Sequence, residues 1–248
     1  MILHAVDQGR GAGPLVLLHG LFGSAGNFGG VQRRLAVDRR VIALDLRNHG
    51  SSPHAAAMDY PSMAADVIET LDTLGLDRVA VLGHSLGGKV AMAVALCHPA
   101  RIERLVVADI APVSYAPHFR AIAAAMQAVP AGDTRAQADA ALAQSIHELA
   151  LRGFLLQNFR TGAGWRIGLD EIAAALPVIE GWDTRGTYPG PALSLLGERS
   201  EYVLPEHRPL FRALFPAIRF TTLHDAGHWL HSDAPEAFVA AVQKFMAA

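Results

Sequence analysis

One short segment carries the clearest chemical signal in this sequence. The apolar run Val79-Ala80-Val81-Leu82 leads straight into Gly83-His84-Ser85-Leu86-Gly87-Gly88, which reads as a strand, a Gly-x-Ser-x-Gly turn and then a helix. The flanking glycines suit a turn too strained and too tightly packed to admit side chains at those positions. Such a turn lifts the Ser85 hydroxyl above the sheet edge at a helix N-terminus, where the positive helix end favours developing negative charge. In a glycine-rich chain the same pentapeptide also arises as a plain packing turn. The strand–turn–helix context favours a nucleophile, and with it acyl-transfer chemistry.

A serine nucleophile needs a base, and the base must be aimed. Of 12 histidines, position singles out His228 in Leu223-His224-Asp225-Ala226-Gly227-His228-Trp229, between the last expected strand and the last helix. A loop there reaches the same sheet edge as Ser85. His224 and His228 also imitate the spacing of a metalloprotease zinc helix, with Asp225 in place of the required glutamate. Gly227 and the preceding apolar run argue against a helix, so no metal site is expected. The oxyanion of an acyl transfer needs two backbone N–H groups. Leu86, directly after the nucleophile, offers one. The loop after Leu15–Leu18, reading His19-Gly20-Leu21-Phe22-Gly23, offers the other, from Leu21 first and Phe22 second. Its plain alternative is a strand-end turn.

These groups need a scaffold to converge. Short apolar runs alternate with helix-like segments, the pattern of a mostly parallel sheet covered by helices on both faces. The expected buried strands are Leu15–Leu18, Val41–Leu44, Val79–Leu82, Leu105–Ala108, Ala192–Leu196 and Phe220–Leu223, with a strand-like start at Ile2–Val6. Helices are expected at Met63–Leu74, from Gly87 to Cys97, and from Pro235 to Met246. From Val113 to Tyr188 the pattern turns helical, with no convincing strand, and alternation resumes at Pro189-Gly190-Pro191. The expected organisation is therefore a core of residues 1–112 and 189–248 with a helical cap insertion at 113–188.

Composition narrows the function classes. The chain has 248 residues, 51% of them hydrophobic, enough for a large core without staples. A lone cysteine, Cys97, excludes a disulfide scaffold and reads as a buried apolar filler. Lys and Arg number 21 against 23 Asp and Glu, interspersed, so a nucleic-acid surface is not expected. No apolar stretch is long enough to span a bilayer, and the start lacks the features of a signal peptide, so a cytoplasmic location is expected. Gly9-x-Gly11-x-Gly13 leads into a strand rather than a helix and reads as a turn. Asp45 and His49, after a strand, read as architectural.

In order along the chain, His19-Gly20, Asp45-Leu46-Arg47-Asn48-His49-Gly50-Ser51-Ser52, Gly83–Gly88 and Gly227-His228-Trp229 resemble the α/β-hydrolase fold over essentially the whole sequence. More narrowly, Asp109–Val113, Leu156–Phe159, Gly164–Arg166 and Ala226–His231 look like the small esterases related to bacterial YbfF. The resemblance implies an α/β fold with a mostly parallel, eight-stranded sheet, helices on both faces and an inserted helical cap. It also exposes a departure. Most relatives place the triad acid as Gly-x-x-Asp after the next-to-last strand, but here Ser200 stands at that position in Gly197-Glu198-Arg199-Ser200-Glu201. Asp109, at the end of the preceding strand, is the first candidate; Glu198 and Glu201 compete.

A cap inserted there lies over the catalytic edge, so its aromatic residues Phe119, Phe154, Phe159, Trp165 and Trp182 are candidates to hold an acyl or aryl group, each with packing as the plainer role. Phe22, His84 and Trp229 join them beside the catalytic groups, and Arg160 or Arg166 could meet an anionic portion. The expected function is a carboxylesterase-type serine hydrolase acting on a small-molecule ester or acyl thioester, without metal or organic cofactor, as a monomer or homodimer. Two rivals are a C–C bond hydrolase or lyase on a small acidic metabolite, and a non-catalytic binding module on the same fold.

Overall fold

The computed structural model describes residues 1–11 and 13–248. Its strands, in chain order, are β1 (Ala5–Gln8), β2 (Leu15–Leu18), β3 (Val41–Leu44), β4 (Val79–His84), β5 (Ile102–Ala108), β6 (Phe159–Arg160), β7 (Gly164–Trp165), β8 (Ala192–Gly197) and β9 (Ile218–Leu223). Its helices are α1 (Gly29–Leu35), α2 (Tyr60–Thr73), α3 (Leu86–Cys97), α4 (Phe119–Gln127), α5 (Arg135–Leu142), α6 (Leu149–Leu155), α7 (Leu169–Ile179), α8 (Arg208–Leu214), α9 (Leu230–Asp233) and α10 (Pro235–Ala247).

Among the described residues, seven strands form the main sheet in the order β1-β3-β2-β4-β5-β8-β9, with β1 antiparallel and the rest parallel. Strands β2, β3 and β4 are buried along their whole length, as apolar runs covered on both faces require. Alternate residues feed two cores. Val16, Leu18, Ile42 and Val81 pack with α2 and α3, while Leu15, Leu17, Val41 and Leu82 pack with α1 and α10. Because β2 lies between β3 and β4, the strand order reverses there, and the crevice beyond the carboxyl ends of β2 and β4 is where such sheets bind ligands.

The sheet has seven strands rather than the eight expected. Among the described residues one strand precedes β2, and Gly9 and Gly13 take positive φ angles of 75° and 69°. The expected strand at Ile2–Val6 begins only at Ala5, because the preceding N–H groups bond to side chains instead of a neighbouring strand. Leu3 N donates to Thr70 Oγ1 at 2.9 Å and His4 N to Ser52 Oγ at 2.8 Å. Cys97, expected to be buried, is exposed at the last turn of α3.

Between β5 and β8 the chain forms α4 to α7, together with the two-stranded hairpin β6–β7, where no strand was expected. Its short pairing of Phe159 with Trp165 carries too little periodicity to be read from sequence. This inserted cap is fastened to the core through Lys89 of α3. The buried Nζ donates to the carbonyls of Glu180 (3.1 Å) and Gly181 (2.7 Å), just past the end of α7, and sits over the rings of Tyr60 and Tyr115. The Glu180 carboxylate in turn accepts from the backbone N–H groups of His118 and Phe119 at the start of α4.

Candidate active site

Ser85 sits between β4 and α3 with φ 53° and ψ −120°, a left-handed conformation that a non-glycine residue holds only when its surroundings enforce it. Its N–H donates to Ala108 O at 3.0 Å, tying the turn to β5. The glycines are obligatory. A Cβ on Gly83 would lie 2.0 Å from Gly87 O, and one on Gly87 would lie 2.2 Å from Leu18 O. Gly20 serves close approach as well, since a Cβ there would lie 3.3 Å from Ser85 Cβ.

His228 follows β9 on a turn that is not helical, with Asp225 at φ 55°. Its Nδ1 lies 2.8 Å from Asp109 Oδ2, so the ring presents Nε2 to the crevice it shares with Ser85. No hydrogen bond joins Ser85 Oγ to the ring among the described residues; such contacts often tighten only when substrate arrives. Asp109 is fully buried at the end of β5, and its other oxygen accepts from Gly197 N at 3.1 Å. The Ser200 hydroxyl also donates to Asp109 Oδ2. Of the three carboxylates that competed in the sequence, the fold brings only Asp109 to His228. Glu198 instead accepts from Asp225 N at 3.0 Å, steadying the turn that carries His228, and Glu201 is exposed. His224 is exposed beside Glu198 and Asp225.

Tyr202, which sequence reasoning missed, and the two histidines His84 and His231 pack around His228. Tyr202 stacks on His228 at 3.9 Å between centroids and 19° between planes, and its hydroxyl meets His118 Nε2 at 3.1 Å. His84 Nε2 donates to the His228 carbonyl at 2.8 Å, a role distinct from the substrate contact expected of it. His231 packs edge-on against His84. Burial holds His84 well below the usual histidine range and pushes His231 down to about 4, with the His228 ring adding to both. Neutral His84 is therefore available as an Nε2–H donor. Tyr202 carries no sequence signal, whereas His84 lies within the Gly-x-Ser-x-Gly turn and Ser200 stands where the resemblance leads one to expect Asp.

Of the two candidate N–H groups in the loop after β2, the second is engaged. Phe22 N donates to His49 Nε2 at 3.1 Å and is already committed. Leu21 N and Leu86 N make no hydrogen bond among the described residues. Asp45 has the architectural role expected, accepting from Ala25 N and Ser51 N.

Ser85 and His228 open into a cavity of about 1120 Å³ running between core and cap. Phe22, His84, Phe119, Phe154 and Trp229 line it; Phe159, Trp165 and Trp182 do not. The first two of these pack edge-to-face in the hairpin, with Trp165 Nε1 donating to Met126 O at 2.7 Å, and Trp182 lies against Tyr60. Arg160 and Arg166 are also outside the lining, whereas Arg34, Asn27, Gln157 and Glu148 give it a polar edge.

The profile of the alpha/beta hydrolase fold family matches residues 13–235 of this chain. The chain belongs to that family. The α/β-hydrolase relatives it resembles include the sn-1-specific diacylglycerol lipase ABHD11 of Mus musculus, 43% identical over 94% of this chain and 80% of that protein. Esterase YbfF of Escherichia coli is 40% identical over 94% of this chain and 92% of the other. Among solved structures, a marine microorganism esterase superposes with a TM-score of 0.95 at 36% identity, covering 98% of this chain and 99% of that one. An enol-lactonase from Burkholderia xenovorans, at 23% identity and a TM-score of 0.79, shares the fold. No helix among the described residues is long and apolar enough to cross a membrane.

Proposed function

We propose that this α/β-hydrolase is a carboxylesterase-type serine hydrolase that cleaves small-molecule esters, acyl thioesters included, through an acyl-enzyme. The observation that carries the reading is the Asp109–His228 contact at the mouth of the cavity that Ser85 enters. His228 Nε2 takes the proton from Ser85 Oγ as the oxygen attacks the carbonyl carbon. The N–H groups of Leu21 and Leu86 hold the oxyanion, and the N-terminal end of α3 adds its positive potential. Collapse breaks the bond to the alcohol, which leaves with the proton from His228. Water then gives a proton to the same nitrogen, attacks the acyl carbon and releases the acid, restoring Ser85. Asp109 fixes the ring tautomer and stabilises the imidazolium in both halves.

Segment 113–188 acts as the cap and supplies the far wall of the pocket. A cavity of about 1120 Å³ lies at the upper end of what small-molecule sites occupy, and its aromatic walls suit a bulky or long acyl group. The names of the relatives, an esterase and a diacylglycerol lipase, support an ester substrate over the C–C hydrolase alternative. A cytoplasmic monomer or homodimer completes the reading. A fluorophosphonate probe with p-nitrophenyl esters of graded chain length tests it. Labelling at Ser85 and turnover of these esters are expected; folded protein that does neither would overturn it.

A further inference from the structure

Phe22 is built into the core in a conformation that its own chemistry disfavours. Gly23 N donates to Gly20 O at 3.0 Å, closing a four-residue turn in which Phe22 occupies the third position at φ 59°. That place in such a turn favours glycine, because a Cβ there crowds the backbone. Two buried side chains hold it. On one side His49 Nε2 accepts the Phe22 N–H at 3.1 Å. His49 Nδ1 faces Arg47 O at 2.8 Å, which leaves Nε2 as the acceptor, and burial pushes its pKa down to about 3. On the other side Asn158 Nδ2 donates to Phe22 O at 2.6 Å.

The second clamp comes from the cap. Asn158 is 2% exposed and precedes β6, 136 residues away from Phe22 along the chain. Its own carbonyl accepts from Arg166 N at 2.8 Å across the hairpin, and neighbouring Gln157 Oε1 accepts from Asn27 Nδ2 at 3.0 Å on the core. The Phe22 ring also meets Phe119 of α4 edge-on at 6.2 Å. Fixing the N–H and the carbonyl of one residue fixes its φ and ψ. Without the Asn158 bond, relaxation of Phe22 toward negative φ would turn the Leu21–Phe22 peptide and displace Leu21.

We infer that Asn158 is a positioning residue for the oxyanion hole: the docked cap, through Asn158, holds the Phe22 carbonyl and thereby aims the Leu21 N–H. The cap then completes the catalytic machinery as well as covering it. This rests on the serine-hydrolase reading above.

The test compares Asn158→Ala and the near-isosteric Asn158→Asp with the unaltered protein. Turnover of p-nitrophenyl esters is measured per active site, titrated with a fluorophosphonate. Loss of an oxyanion donor outright costs about 10²–10³ in kcat, so misaiming one should cost roughly 10- to 100-fold. KM should stay within about threefold, because ground-state binding does not use the hole. Inhibition by a trifluoromethyl ketone, whose adduct on Ser85 carries an oxyanion, should weaken in parallel, while binding of the matching methyl ketone should not. A kcat per titrated site at the original level would overturn the inference. So would equal weakening of both ketones, or loss of a cooperative melt in both variants. If the unaltered protein neither labels nor turns over, the serine-hydrolase reading falls instead.

Discussion

The Ser200 hydroxyl and the His228 ring bond to the same oxygen of Asp109. The resemblance leads one to expect a carboxylate where Ser200 stands; here that position donates to the carboxylate of Asp109, at the end of the neighbouring strand β5. A donor to a buried carboxylate makes the stronger kind of hydrogen bond.

Asp109→Asn should reduce kcat by about 10⁴ with the fold retained, through loss of the imidazolium's partner and the wrong ring tautomer. Glu198→Gln should leave kcat within about threefold, since Glu198 touches the turn rather than the ring. Steady-state kinetics with circular dichroism decide the ranking, and a reversed order would move the acid.

Ser200→Ala should cost roughly tenfold in kcat, less than loss of the acid, because one charged hydrogen bond of about 1.5–3 kcal/mol is removed. Ser200→Asp should be worse, placing a second carboxylate against Asp109 so that one is driven to hold a proton. Combining Ser200→Asp with Asp109→Asn should recover part of the activity by moving the acid to residue 200. No recovery in the double variant would show that His228 cannot be reached from residue 200.

Tyr202→Phe should keep the stack under His228 and most of the activity, whereas Tyr202→Ala should lose roughly tenfold in kcat as the ring gains freedom. Equal losses in the two variants would assign the effect to the hydroxyl contact with His118 instead.

Stability should fall as the solution is acidified below about pH 6.5. His49 and His231 titrate at about 3 and about 4 in the folded protein, so over the interval up to 6.5 the unfolded chain binds more protons and stability rises with pH. His231→Phe should flatten part of that slope in urea titrations. A slope unchanged by the substitution would remove His231 from the account.

Lys89 predicts a second, alkaline interval. Burial pushes its ammonium down to about 7, against the opposing pull of Glu180. Between about 7 and 10.5 the unfolded chain again holds the extra proton, so this contribution to stability grows as pH rises and is absent below 7. The neutral amine still has two N–H bonds for the Glu180 and Gly181 carbonyls. Relative to Lys89→Met, the unaltered protein should therefore gain stability between pH 7 and 9; a constant difference would exclude this titration.

Much of the scaffold could be read from residues alone because it rests on local chemistry. Fully apolar four-residue runs such as Leu15–Leu18 can only be buried strands, and Gly83 and Gly87 announce a turn where a Cβ has no room. Helix ends were legible too: α2 was expected to end at Leu74 and α3 at Cys97, and each does so within a residue. The cap was harder. Amphipathic helices and aromatic residues look the same whether they face a pocket or a core, so Phe119 and Phe154 could not be told from Phe159, Trp165 and Trp182.

The Gly-x-Ser-x-Gly turn at Ser85, the loop that carries His228 and the class of fold are legible in the residues alone, because each depends on residues adjacent in the chain. Which carboxylate meets His228 was left open, since Asp109 and His228 are 119 residues apart and Asp109, Glu198 and Glu201 all follow strands at one sheet edge. The parallel pairing of β5 with β8 answers it, setting Asp109 against Gly197 N, Ser200 and His228 and leaving Glu198 on the turn. Which strands lie side by side is a property of the folded sheet, set by contacts between residues far apart in the chain. The same holds for the clamp on Phe22, whose two ends come from His49 and Asn158 and meet only when core and cap close together.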